Sequence, residues 1–185
     1  MAFKYALDLT AEQSQGLFRC AGARRFAYNH HIGRVKDNLP ARAAEKQAGT
    51  PRDQMTLALS WSSVSFINEF NAWKTGQLDY SLLAEDGTKG LAWRGEVPAD
   101  VFECASVDAA TALKNYSSSA IGARAGVKVG FPGFAAKHRQ IPRARLRPGT
   151  APGSGPRCAL SALRPCTSRS WATCACTAVA ARWQK

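Results

Sequence analysis

Residues 10–40 read TAEQSQGLFRCAGARRFAYNHHIGRVKDNLP, and this stretch decides how the chain folds. Thr10 and Gln13 stand at capping-box spacing, where each side chain satisfies the other residue's backbone N–H at the start of a helix. Phe18, Ala21, Arg25, Tyr28, Ile32, Val35 and Leu39 then recur at alternating intervals of three and four, which places them along one helical face. One member of that stripe, Arg25, is charged. Gly22 interrupts it, so a single helix and two helices joined near Gly22 both satisfy the pattern. Pro40 lacks a backbone donor and marks the expected end.

Upstream, Ala2 to Leu9 alternates. Phe3, Tyr5, Leu7 and Leu9 fall on one face and Lys4, Ala6 and Asp8 on the other, the pattern of a half-buried strand. Downstream, residues 40–56 are polar and read as a linker or solvated turn. Phe66, Ile67, Phe70 and Trp73 mark a second helix, with Gly76 as its stop. Residues 76–97 read as irregular. Pro98 suits the first turn of a third helix, whose apolar face is Val101, Phe102, Ala105, Ala109, Ala112, Leu113 and Tyr116. The expected fold is therefore mainly α with a minor β part. It divides into residues 1–39, residues 40–139 and residues 140–185.

Charge is uneven along the 185 residues. The net charge is +12, which favours a polyanionic partner, nucleic acid before an acidic membrane. All 13 acids lie at or before Asp108, so residues 1–139 with 17 bases carry only +4. Residues 140–185 hold eight bases and no acid, together with five of the nine Pro and four of the six Cys. No helix or strand period persists there, and the composition is that of a low-complexity, disordered tail. A GC-rich gene translated out of frame gives the same mix, and that origin is the preferred reading of the tail. No apolar run reaches the length of a membrane span, and the N-terminus lacks the apolar core of a secretory signal. The chain is expected in the cytoplasm, with its cysteines as thiols.

The residues offering chemistry are few. Arg24 and Arg25 beside Phe26, Tyr28 and Asn29 combine guanidinium groups that hold phosphate with aromatic and amide groups that meet bases. The same residues are also compatible with an arginine snorkelling from a core stripe beside a solvated charge. His30 and His31 are adjacent, so on a helix they diverge by about 100° and form no metal pair; surface histidines are expected. Cys20 and Cys104 read as buried thiols. Cys158, Cys166, Cys174 and Cys176 contain no pair at zinc-finger spacing. Gly130 to Phe134 reads as a turn leading into the basic run Lys137, His138 and Arg139. No nucleophile motif or phosphate loop is present, and no catalytic site, metal or cofactor is expected.

Phe3-Lys4-Tyr5-Ala6-Leu7, Leu9-Thr10, Gln13, Leu17, Gly22 and Arg25-Phe26-Ala27-Tyr28-Asn29 together resemble the start of the TnpB/OrfB transposon-associated proteins. Two later pieces are similar to that family in the same order. They are Glu96-Val97-Pro98 with Ala112-Leu113-Lys114-Asn115-Tyr116, and Gly130-Phe131-Pro132-Gly133-Phe134. The likeness covers about residues 3–139. It implies an RNA-guided DNA nuclease related to type V CRISPR nucleases. Its N-terminal strand would open an oligonucleotide-binding-like barrel, and inserted helices would form a recognition lobe. It also implies a RuvC-like domain with three carboxylates and an inserted four-Cys zinc finger, which the sequence after Arg139 does not match. Ala135 stands where the family carries a basic residue.

The resemblance thus implies a nucleic-acid-binding N-terminal region that binds RNA or DNA and does not itself cut. One barrel strand would be followed by a helical recognition region. The residues expected to contact nucleic acid are Lys4, Arg24, Arg25, Tyr28, Asn29, Lys128, Lys137, His138 and Arg139. The alternatives are a small helix-turn-helix DNA-binding regulator, dimeric on half-sites, and the product of a decayed gene.

Overall fold

A computed structural model describes residues 8–81, 87 and 89–137. Three helices carry the fold: α1 is Ala11–Gln47, α2 is Ser63–Lys74 and α3 is Ala99–Ala120. A 3-10 turn at Ala92–Glu96 precedes α3. Among the described residues there is no β-strand. The strand expected over residues 2–9 lies outside them except for Asp8 and Leu9, which take no regular structure. The tail from residue 140 lies wholly outside them.

The capping box forms as the spacing predicts. Thr10 N–H donates to Gln13 Oε1 at 3.0 Å, and Gln13 N–H donates to Thr10 Oγ1 at 3.3 Å. From that cap α1 runs unbroken for 37 residues, through Gly22 and through Pro40. Of the two arrangements open at Gly22, the single helix is the one adopted. The end expected at Pro40 is corrected to Gln47. Pro40 removes one helical hydrogen bond, a local cost, and side-chain bonds to a distant segment offset it. Asn38, Arg42 and Glu45 follow one another up one face of the helix, and all three reach the chain at Thr56 and Leu57. Asn38 Nδ2 donates to the Leu57 carbonyl at 3.0 Å, and Glu45 accepts the Thr56 amide at 2.8 Å. Arg42 bonds the Thr56 carbonyl, and the Thr56 hydroxyl donates to Glu45. Part of the expected linker is therefore the last turns of α1.

Helix α2 starts at Ser62, whose hydroxyl accepts from Ser65 N–H at 3.1 Å. It stops at Thr75 and Gly76, as expected. Gly76 has φ 83° and Gly90 φ 106°, and the two backbones touch. A Cβ on Gly76 would lie 2.5 Å from the Lys89 carbonyl oxygen, and one on Gly90 2.6 Å from that of Lys74. Only glycine fits at both positions. The contact lets Leu91 N–H donate to the Lys74 carbonyl at 2.9 Å, which closes the loop and buries Leu91.

Helix α3 packs against both other helices. Small residues of α1, namely Cys20, Ala23 and Ala27, meet Val101, Phe102 and Ala105 of α3. Small side chains at a crossing let two helices approach closely. The aromatic residues of α2 fill the remaining space. Phe70 and Trp73 join this cluster, while Phe66 packs with Ile32, Val35, Ala109 and Leu113. The expected α3 face is the buried one, with Ala112 and Tyr116 at its edge. The α1 stripe is only partly buried. Ala21, Ile32 and Val35 are inside, Tyr28 is half-buried, and Phe18 is 60% exposed. Among the described residues no helix is long and apolar enough to cross a membrane.

Candidate nucleic-acid interface

The residues expected to meet nucleic acid do not form one group. Lys4, His138 and Arg139 lie outside the described residues. Arg24 turns inward from α1. Its Nη2 and Nε donate to one Asp108 oxygen of α3, at 2.7 and 3.2 Å, with both side chains mostly buried. That ion pair ties α1 to α3. Tyr28 wedges between the two core clusters, and burial pushes its hydroxyl up from the usual tyrosine value.

Asn29 also serves the fold. Its Oδ1 accepts the Ala135 amide at 2.7 Å, and its Nδ2 donates to the Ala135 carbonyl at 3.1 Å. A single side chain so completes both backbone groups of one residue, which is buried. The segment around it lies on α1 and α3. The Phe131 ring meets Tyr116 edge-on at 5.3 Å, and Val129 N–H donates to Ser119 Oγ at 2.8 Å. Phe134 reaches α1 at Gly33, where a Cβ would stand 3.7 Å from its ring. The Lys36 ammonium lies over the same ring, 5.3 Å from its centre.

These contacts define a surface. Arg25, Asn29, Gly33 and Lys36 fall within about 80° of one another on a helix turning 100° per residue. Arg25 is half-buried and Lys36 exposed. The Asn29 clasp fixes the chain two residues before Lys137, which is exposed, as is Lys128. The clasp, between residues 106 positions apart, holds the loop that carries Lys137 against the α1 stripe that carries Arg25 and Lys36. Sequence reading missed Lys36, which lies off the apolar stripe, and the Asp108 partner of Arg24.

The histidines are a correction. Neither is exposed, His30 being half-buried and His31 buried, because α1 is covered on two sides at this level, by α2 and by α3. His31 is buried, stacked on Phe66 with ring centres 4.5 Å apart and planes 12° apart. Its Nε2 is 2.9 Å from Ser106 Oγ, and that hydroxyl donates its one hydrogen to the Phe102 carbonyl at 3.0 Å. The hydroxyl can then only accept from His31, which fixes the proton of the neutral ring on Nε2. His30 packs 4.2 Å from Trp73, and its Nε2 is buried with no hydrogen-bond partner among the described residues. Burial, with Arg34 nearby, lowers His30 to about 4; burial, His30 and Arg34 lower His31 to about 3. Cys20 and Cys104 are buried, as expected. Among the described residues no three His, Cys, Asp or Glu side chains group to hold a metal.

Residues 1–42 match the helix-turn-helix domain model of the OrfB type. Over 142 residues, 77% of its length, the chain is 29% identical to proteins from two strains of Mycobacterium tuberculosis. Both are named "Putative RNA-guided DNA endonuclease". The matched part spans 28% of each relative's length. No solved structure matches. With an OrfB-type domain at its start and TnpB-like relatives over most of its length, the chain is similar to the N-terminal region of the OrfB/TnpB-type transposon-associated proteins.

Proposed function

We propose that this chain is a nucleic-acid-binding region of an OrfB/TnpB-type protein, and that it grips phosphates through the outer face of α1 and the loop carried by Ala135. The observation that carries the reading is the Asn29–Ala135 clasp, which sets Lys137 beside the stripe holding Arg25 and Lys36. The excess of bases and the names of the relatives support it. RNA or an RNA–DNA duplex, read through shape and phosphate, is the proposed partner. Metal-assisted cutting needs convergent carboxylates; no acid follows Asp108, and no cleavage is assigned to this chain. The unbroken α1 supports this reading over a regulator, which would lay the second of two crossed helices in the major groove.

Titration of labelled RNA and duplex DNA at several salt concentrations tests the proposal. Log affinity should fall linearly with log salt, as condensed counterions are released. Arg25→Ala, Lys36→Ala and Lys137→Ala should each reduce that slope by about 1 and weaken all sequences alike. Salt-independent binding, or slopes untouched by all three changes, would refute it.

A further inference from the structure

Phosphate binding does not explain Phe134, one of several large apolar side chains exposed on the described surface. Phe134 is 53% exposed although both neighbouring segments are anchored. Phe131 is packed on Tyr116, and Ala135 is held at both backbone groups by Asn29. One edge of the ring rests on α1 at Gly33. The Lys36 ammonium is drawn to it, and Lys137 follows three residues on. No Asp or Glu occurs after Asp108, so the whole loop is free of acids; the nearest acid on α1 is Asp37, about 100° round the helix from Lys36.

An exposed aromatic ring on a fixed backbone, flanked by cations, matches the chemistry of an unpaired nucleobase with its own phosphate. The base offers a π-face, and the cations meet the anion beside it. Bases inside a duplex are already stacked on one another and do not present that face. Lys36, on a flexible stem, can leave the ring for a phosphate without movement of the helix. We propose that Phe134 is a stacking platform for an unpaired base of single-stranded nucleic acid, with Lys36 and Lys137 on the adjoining phosphates. The inference rests on the basic interface proposed above, to which it adds the class of ligand.

The test uses the full chain and short single-stranded RNA and DNA oligomers containing 2-aminopurine, with a matched duplex as comparison. Stacking on Phe134 should quench the 2-aminopurine. Phe134→Ala should abolish the quench and weaken single-strand binding about 5- to 100-fold, while duplex binding stays unchanged. Phe134→Leu keeps apolar bulk without a π-face and should behave like Phe134→Ala; Phe134→Trp should retain the quench. If both Phe134→Ala and Phe134→Leu bind single strands like the parent, with a steep salt dependence, the platform is refuted and the basic interface stands. If the parent binds no nucleic acid at low salt, the interface itself is refuted. If Phe134→Ala instead abolishes self-association and leaves strand binding intact, the ring is a contact between copies of the chain and the proposal fails.

Discussion

Asn29 of α1 and Ala135 of the returning loop are joined by two hydrogen bonds, one to each backbone group of Ala135. The two residues are 106 positions apart in the chain. The amide is complementary to a peptide unit, because it offers a donor and an acceptor side by side. The residue expected to touch a base thus holds the loop that carries Phe134 and Lys137.

Asn29→Ala should leave the Ala135 amide and carbonyl unpaired and cost about 1–3 kcal/mol. Hydrogen exchange at the Ala135 amide should speed up, while exchange within α2 stays as it was. The same variant should also lower nucleic-acid affinity through loss of the loop's position. Unchanged protection at Ala135 would contradict this.

Acid should unfold the protein through its histidines. Both are held below the ordinary value, at about 4 for His30 and about 3 for His31. The unfolded chain therefore binds more protons than the folded one at pH between these values and about 6.5. Their effect is absent above about pH 6.5, and stability is lost as pH falls through that window. The slope reaches up to about 1.4 kcal/mol per pH unit for each histidine. His30→Phe should keep the ring contacts, remove the unpaired Nε2 and flatten the slope. Denaturant melts between pH 4 and 8 would check it, and parallel curves for the two proteins would refute it.

Gly76→Ala and Gly90→Ala should each be strongly destabilising, because the new Cβ would meet backbone atoms at 2.5 and 2.6 Å as well as a left-handed φ. Gly49 shares the positive φ but has open space around it, so Gly49→Ala should cost only about 1–2 kcal/mol. Thermal unfolding of the three variants should give that ranking. Equal costs would mean that φ alone, and not the backbone contact, sets the penalty.

Pro40→Ala should stabilise the protein. Position 40 is helical, and alanine would restore an N–H for the Lys36 carbonyl. The gain should be about 1–3 kcal/mol, limited by proline's restriction of the unfolded chain. Circular dichroism should show unchanged helix content at low temperature with a raised Tm. Lost stability would mean that the ring makes a contact needed by the fold.

Sequence by itself determined the local features. Thr10 and Gln13 formed their box, Gly76 ended α2, and Pro98 stood at the start of α3 with Val101, Phe102, Ala105, Ala109 and Leu113 facing inward. Each depends on residues within a turn or on a period of 3.6, information carried by neighbours in the chain. The resemblance to the OrfB/TnpB proteins was legible in the same way, as short runs in order. Only tertiary structure decided the rest. Pro40 alone argues for a helix end, and the bonds that Asn38, Arg42 and Glu45 make to residues 56 and 57 carry α1 past it. His30 and His31 alone read as surface groups, yet Trp73 of α2 covers His30, and Phe66 of α2 with Ser106 of α3 buries His31. Arg24 and Asn29 alone read as ligands for nucleic acid, yet their partners lie 84 and 106 residues away. Local periodicity shows which face of a helix turns inward; it holds no record of what that face will meet, because packing brings together atoms that the chain keeps far apart.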